Sequence, residues 1–120
     1  MILGVGVDVV EIRRVAHLHA RFGRRFAERI LAPGEWQQYL ASPAPARLLA
    51  KRFAVKEAAA KALGTGVGGQ VSFADIATEH ARGGAPRLVL DGGARSLAER
   101  LGVVRQHVSL ADERETTVAV

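Results

Sequence analysis

The run Arg52-Phe53-Ala54-Val55-Lys56-Glu57-Ala58-Ala59-Ala60-Lys61-Ala62-Leu63-Gly64-Thr65-Gly66 constrains this chain more tightly than any other stretch. Alanine and lysine dominate it, and both favour helix. A helix is predicted from near Arg47 to Leu63, with Gly64 as its C-terminal stop. Glu57 and Lys61 stand one turn apart and share a face, and Ala54 and Ala58 lie on the same side. Small residues around a carboxylate and an ammonium leave room for another group to come close. The alternative is an ordinary Glu–Lys pair on a solvated helix, worth only about 0.2–0.5 kcal/mol.

Ile2 to Val10 reads as a strand. Its odd positions Leu3, Val5, Val7 and Val9 are branched and apolar, and are expected to face the core. Its even positions include Gly4, Gly6 and Asp8, a nearly bare face from which one carboxylate projects. Glycine within a strand often marks the close approach of a ligand or another backbone. Asp8 either serves that approach or merely ends the strand and caps the next helix.

Glu11 to Ile30 is predicted helical with a break near Gly23. Arg13, Arg14, Arg21, Arg24, Arg25 and Arg29 face only Glu11 and Glu28 across this span. Val15, Leu18, Phe22 and Phe26 recur at helical spacing and are expected to form its inner face. The arginines form either a solvated face or a docking surface for an acidic partner. His17 and His19 point to different sides of a helix, so surface positions are expected rather than a metal site.

Further on, Pro33-Gly34 is a turn and Glu35 to Leu40 a short helix with Trp36 and Tyr39 inward. Residues Ala41 to Ala46 form a loop. Gly64 to Gly69 is glycine-rich but lacks the order of a Walker A loop and follows a helix C-terminus, where the dipole disfavours anions. Taken alone it is a connector. Val71–Ala77 and Arg87–Leu90 are expected strands around the turn Gly83-Gly84-Ala85-Pro86. A helix from Asp91 or Gly92 to Leu101 should turn Leu97 and Leu101 inward. Gln106–Ala111 and Thr116–Val120 alternate as two strands joined by a polar turn. Helices segregated from antiparallel strands give an α+β fold, expected as one domain over residues 1–120.

The chain has no cysteine, which removes disulfides and thiolate metal sites. The N-terminal apolar run has no basic leader, contains Asp8 and is too short to cross a bilayer. A cytoplasmic protein with no membrane association is therefore expected. The formal charge of +5 suits nucleic acid, an anionic surface, an acidic protein or a phosphorylated ligand. Aromatic residues make up only 5%, which argues against the stacking platforms of single-strand binders. No nucleophile–histidine arrangement or paired-histidine zinc motif stands out. What remains is Asp8 on a bare strand face, with Glu57 and Lys61 on a helix face of small residues. Two converging carboxylates suit Mg²⁺, which takes one or two of them with substrate phosphates and waters. A lysine beside them suits a phosphate.

Gly6-Val7-Asp8-Val9-Val10-Glu11-Ile12 and the Arg52–Gly66 run closely resemble the two signature motifs of the 4'-phosphopantetheinyl transferases. The length, the arginine-rich first helix and Gly84-Ala85-Pro86 resemble the family's short bacterial subgroup. The family moves phosphopantetheine from coenzyme A to a serine of apo acyl carrier protein, in support of fatty acid biosynthesis. The resemblance implies a small antiparallel sheet packed with a long central helix. It implies catalytic roles for Asp8, Glu57 and Lys61, with Mg²⁺ on Asp8 and Glu57 and Lys61 on the transferred phosphate. It assigns Arg52 and the loop Gly64, Thr65 and Gly66 to coenzyme A, and Gly84 and Pro86 to its adenine end. Arg14, Arg21 and Arg24 would meet the acidic carrier protein. It further implies a homotrimer with each active site at a subunit interface, and no nucleic-acid partner.

One departure accompanies the resemblance. Many members carry a Ser-His pair on the penultimate strand, where this chain has Ala111-Asp112-Glu113 after Val108-Ser109-Leu110. A nucleotide contact made there by the histidine must be replaced or lost, with both expected metal ligands unaffected. The competing reading is a non-enzymatic basic module that binds nucleic acid through its first helix. It explains the charge but not Asp8, Glu57 and the bare strand face.

Overall fold

A computed structural model describes residues 1–120. The long helix α4 spans Pro45–Ala62 and lies at the centre of the molecule. Before it come β1 (Asp8–Glu11), α1 (Ile12–Phe22), α2 (Arg24–Ile30), a 3-10 turn at Pro33–Glu35 and α3 (Trp36–Ala41). After it come a 3-10 turn at Phe73–Asp75, β2 (Ile76–His80), β3 (Pro86–Leu90), α5 (Gly92–Arg100), β4 (Leu110–Asp112) and β5 (Thr116–Ala119). The fold is α+β, with all strand pairing antiparallel. One sheet has the order β1-β5-β4 and the other is the β2–β3 hairpin. Asp8 stands opposite Ala119 and Glu11 opposite Thr116.

Pro45 opens α4 at the position where a missing N–H costs nothing. Gly64 follows its end with φ +86°, a conformation open to glycine. Leu49, Ala50, Ala54, Val55 and Ala58 of α4 join Val10, Val15, Ile30 and Ala119 in the main core. Ala60 belongs to a second cluster with Val71, Ile76 and Ala94. The central helix therefore carries both cores on small side chains. The break expected near Gly23 divides α1 from α2, with φ +57° at the glycine.

Several expectations are corrected. Of the predicted strand Ile2–Val10 only Asp8–Val10 is paired, as the first part of β1, and residues 2–7 lie outside it. The apolar odd positions also face outward: Leu3, Val5, Val7 and Val9 are 53%, 67%, 51% and 62% exposed. The glycine face is the one applied to the protein. A Cβ on Gly6 would stand 1.8 Å from the Ala58 carbonyl oxygen, and one on Gly4 2.1 Å from that of Ala62. Only glycine lets the two backbones meet this closely, so the bare face turns in and the branched side chains are left out.

Leu18 and Phe22, expected on an inner face, are exposed, because α1 reaches past the core before the turn at Gly23. In α5 the alanines Ala94 and Ala98 are buried and Leu97 packs, half-buried, against the second cluster as expected, whereas Leu101 lies beyond the helix end in solvent. The expected strand Val71–Ala77 becomes a 3-10 turn, and pairing starts at Ile76. The strand expected from Gln106 begins at Leu110, although Ser109 and Val120 still exchange both backbone hydrogen bonds at 3.0 Å.

Candidate active site

The glycine contact with α4 carries the start of β1 along the helix and delivers Asp8 to its last turns. Lys61 Nζ donates to Asp8 Oδ1 at 3.0 Å and to the Val7 carbonyl at 3.2 Å. Glu57, one turn earlier, is half-buried. Burial raises its carboxyl above the ordinary range, the Asp8 charge raises it further, and Lys61 offsets part of the effect. Glu57 makes no side-chain hydrogen bond or ion pair of its own. The fold thus brings Asp8, Glu57 and Lys61 together from two elements far apart in sequence.

The donor set at this seam is of the kind a divalent cation takes. No group of three or more histidine and carboxylate side chains is placed to enclose a metal. Two carboxylates whose charges oppose each other supply hard oxygen ligands and the need for a cation between them. Such a pair fits Mg²⁺ in its usual form, in which phosphates and waters fill the remaining positions. Asp8 and Glu57 are the residues that would hold it.

Other residues named from sequence are placed elsewhere. Arg52 is buried, only 2% exposed. Its Nε donates to Gln38 Oε1 at 2.9 Å and lies 3.8 Å from Glu35 Oε2. Its Nη1 is buried without a partner. Burial lowers its pKa, and Glu35 acts in the opposite direction. His80 nearby is also lowered, first by burial and then by the Arg52 and Lys51 charges.

The loop Gly64-Thr65-Gly66 folds back on its helix. Gly64 N–H donates to the Lys61 carbonyl at 2.9 Å, and the N–H groups of Thr65 and Gly66 donate to Ala60 at 3.2 Å. These amides satisfy helix carbonyls, so the loop does not present them as a phosphate cradle. Gly84 lies in the β2–β3 turn and Pro86 opens β3, well apart in sequence from the carboxylates. Pro86 lines a cleft of about 240 Å³ with Arg87, Gln106 and His107. A larger groove of about 1260 Å³ runs beside Gly4, Gly6, Ala58, Ala62 and Gly64, along the segment 101–109. Its lining is mainly apolar.

Arg14, Arg21 and Arg24 are all exposed on α1 and α2. The Arg24 guanidinium lies over the Trp36 ring at 5.3 Å, and that of Arg21 over Phe22 at 5.1 Å. The surface is therefore both basic and apolar, since Leu18 and Phe22 stand among the arginines. His17 is exposed, but His19 is half-buried with its Nε2 2.8 Å from the Tyr39 hydroxyl.

Sequence reasoning missed two further features. Lys56 is fully buried, and its ammonium meets Glu35 Oε1 at 2.6 Å. Burial pulls Lys56 below its ordinary pKa, with Glu35 partly restoring it. The signal was present: Lys56 lies one turn from Arg52 and one from Ala60 on the buried side of α4, so it requires a buried carboxylate. Arg47 was also missed. It binds Asp112 Oδ2 at 3.1 Å and the carbonyls of Glu113 and Arg114 at 2.8 Å, tying the β4–β5 turn to the start of α4. The Asp112 that departs from the family pattern is thereby held in place.

Comparison with known proteins bears on this arrangement. Residues 4–119 match the family model described as the 4'-phosphopantetheinyl transferase superfamily. The holo-[acyl-carrier-protein] synthase of Edwardsiella ictaluri is 54% identical over 118 residues, covering 98% of this chain and 94% of the relative. The synthase of the same name from Escherichia fergusonii is 51% identical over 118 residues, with 98% and 94% coverage. The crystal structure of holo-[acyl-carrier-protein] synthase from Neisseria meningitidis superposes with a TM-score of 0.93 at 41% identity, covering 99% of this chain and 95% of that one. The Helicobacter pylori synthase, solved in complex with coenzyme A, gives a TM-score of 0.83 at 29% identity, with 96% and 95% coverage.

Proposed function

The chain belongs to the 4'-phosphopantetheinyl transferase superfamily, and from that premise we propose that it converts apo acyl carrier protein to the holo form with coenzyme A as donor. The observation that carries this reading is the convergence of Asp8, Glu57 and Lys61 at the seam between β1 and α4. The carrier's serine hydroxyl attacks the β-phosphate of coenzyme A. The bond from that phosphorus to the bridging oxygen breaks, and adenosine 3',5'-bisphosphate leaves. The catalytic task is positioning and charge neutralisation.

Mg²⁺ held by Asp8 and Glu57 would neutralise charge on the diphosphate and leaving group. The Lys61 ammonium neutralises the transferred phosphate, and its flexible, half-exposed chain leaves it free to move there from Asp8. The serine proton goes to Glu57 or to a water. Gly64 would form part of the wall of the groove, whereas Arg52, buried against Gln38 and Glu35, is not open to a coenzyme phosphate. The cleft at Pro86 would take the adenine end.

The reading includes a homotrimer. The outward Leu3, Val5, Val7 and Val9, with Val104 and Val120, form an apolar surface that another subunit would cover. The groove beside Gly4 and Gly6 would then gain a second wall, making each site shared. A cytoplasmic location and a place in fatty acid biosynthesis complete the proposal.

The test is to incubate the protein with coenzyme A, Mg²⁺ and apo carrier protein. A mass gain of one phosphopantetheine group on the carrier is expected. No transfer, together with salt-dependent binding to nucleic acid, would favour the basic-module alternative.

A further inference from the structure

Glu57 is held by nothing except its own helix. Its carboxylate has no hydrogen-bond or ion-pair partner, so its place opposite Asp8 depends on how α4 is rotated about its axis. The β1 side offers little to fix that rotation. The segment leading into β1 meets α4 backbone against backbone, Gly4 on Ala62 and Gly6 on Ala58, and the side chain that crosses the contact, Lys61 to Asp8 and the Val7 carbonyl, is half-exposed and flexible. Small residues set the separation of the two elements but allow the helix to roll.

The residue before Glu57 supplies the stop. Lys56 is 0% exposed, and its ammonium donates to Glu35 Oε1 at 2.6 Å, to the Phe73 carbonyl at 3.0 Å and to the Ile76 carbonyl. These partners account for all the donors of an ammonium. Glu35 is itself 0% exposed and anchored by the backbone. Its Oε1 accepts from Ala32 N–H and its Oε2 from Thr78 N–H, each at 2.9 Å. The clamp thus joins α4 to the 3-10 turns at Pro33–Glu35 and Phe73–Asp75 and to β2.

Stability alone does not account for this arrangement. Burying an ion pair carries a desolvation cost that its attraction often fails to exceed, and apolar replacement is often neutral or favourable. What the pair supplies is direction. A roll of α4 by about 20° would carry a side-chain tip at a radius of ~5–6 Å through about 2 Å. A misplacement of about 1 Å at a reacting centre can cost ~100-fold in rate.

We propose that Lys56 and Glu35 are positioning residues for phosphopantetheine transfer: the buried clamp fixes the rotation of α4 so that Glu57 faces Asp8. The inference rests on the role of Glu57 in the proposed reaction. The experiment compares the wild type with Glu57→Gln, with the apolar pair Glu35→Met/Lys56→Met, and with Glu35→Asp, which keeps both charges but shortens the clamp. Each is measured for kcat, for KM toward carrier protein, for half-saturation by Mg²⁺, and for the rise in Tm caused by Mg²⁺ alone.

The clamp variants are expected to fold, to lose 10- to 100-fold in kcat, and to keep KM for carrier protein within about twofold. Their Mg²⁺ half-saturation should rise severalfold, and the Mg²⁺-induced Tm rise should shrink. Rescue should be partial in Glu35→Asp relative to the apolar pair. If the double variant fails to fold, Glu35→Asp decides the question alone. A folded clamp variant with wild-type kcat and an unchanged Mg²⁺ response overturns the proposal and leaves the pair a structural one. A fully active Glu57→Gln would instead overturn the reading on which the proposal rests.

Discussion

Lys61 Nζ lies 3.0 Å from Asp8 Oδ1, across two elements, and makes no ion pair with Glu57 on its own helix. The ammonium therefore pairs with one carboxylate, while the other is raised by burial and by the Asp8 charge, an effect Lys61 offsets only in part. Because the Lys61 side chain is 51% exposed, its pair with Asp8 contributes at most about 1 kcal/mol to stability. In the proposed reaction its charge would serve a phosphate. Lys61→Met is expected to change Tm by no more than a few degrees and to lower kcat by about 100-fold, the scale of a lost electrostatic stabiliser. Thermal denaturation and steady-state transfer assays check this, and a near-normal kcat would remove Lys61 from the reaction.

The raised Glu57 pKa gives stability a definite pH dependence. Between the unfolded carboxyl value and the higher folded value, the native state binds more protons than the unfolded one. Stability of the metal-free protein therefore falls as pH rises through that window, and is regained on acidification. Glu57→Gln should flatten this component, and Mg²⁺ should offset it in the wild type but not in the variant. The same variant should lose most transfer activity. Near-normal transfer with unchanged metal dependence would contradict the assignment of Glu57 as a ligand.

The parts of the fold legible in sequence are those written in local chemistry. The Ala/Lys run without breakers marks α4, and Gly23 and Gly64 mark helix boundaries by their positive φ. Asp8, Glu57 and Lys61 stand out as polar residues in settings of small side chains. The N-terminal segment misled because a period of two distinguishes two faces without saying which is buried. Close backbone packing selected the glycine face, reversing the expected orientation. The partners of Lys56 and Arg47, Glu35 and Asp112, were not legible because each pair joins residues separated by one or more elements. The same reason hid the burial of Arg52, whose partners Gln38 and Glu35 come from the preceding short helix and turn.

Gly6 offers a direct test of the β1–α4 seam. An added Cβ would stand 1.8 Å from the Ala58 carbonyl oxygen, a backbone atom that cannot move without shifting α4. Gly6→Ala is expected to destabilise the protein by about 1–3 kcal/mol, the range of overpacking in a tight contact. It should also impair transfer by separating Asp8 from Glu57. Gly34→Ala, where a Cβ meets nothing within 4 Å, is the control and should be close to neutral. Equal Tm for the two variants, by calorimetry or chemical denaturation, would refute the seam.

The proposed carrier-docking surface is distinct from the carboxylates. Arg14, Arg21 and Arg24 are exposed, and Phe22, which sequence placed inside, stands among them at 43% exposure. A basic rim around an apolar patch suits an acidic amphipathic helix, with charge steering the encounter and the patch holding the complex. Arg14→Glu with Arg24→Glu should raise KM for carrier protein by 10-fold or more and leave KM for coenzyme A within about twofold. The wild-type KM for carrier should climb with added salt, because exposed charges are screened beyond ~8–10 Å at physiological ionic strength. Phe22→Ala should raise the same KM with little change in its salt dependence, since it removes contact area and not charge. Equal loss for both substrates in the charge-reversal variant would place the arginines outside the docking surface.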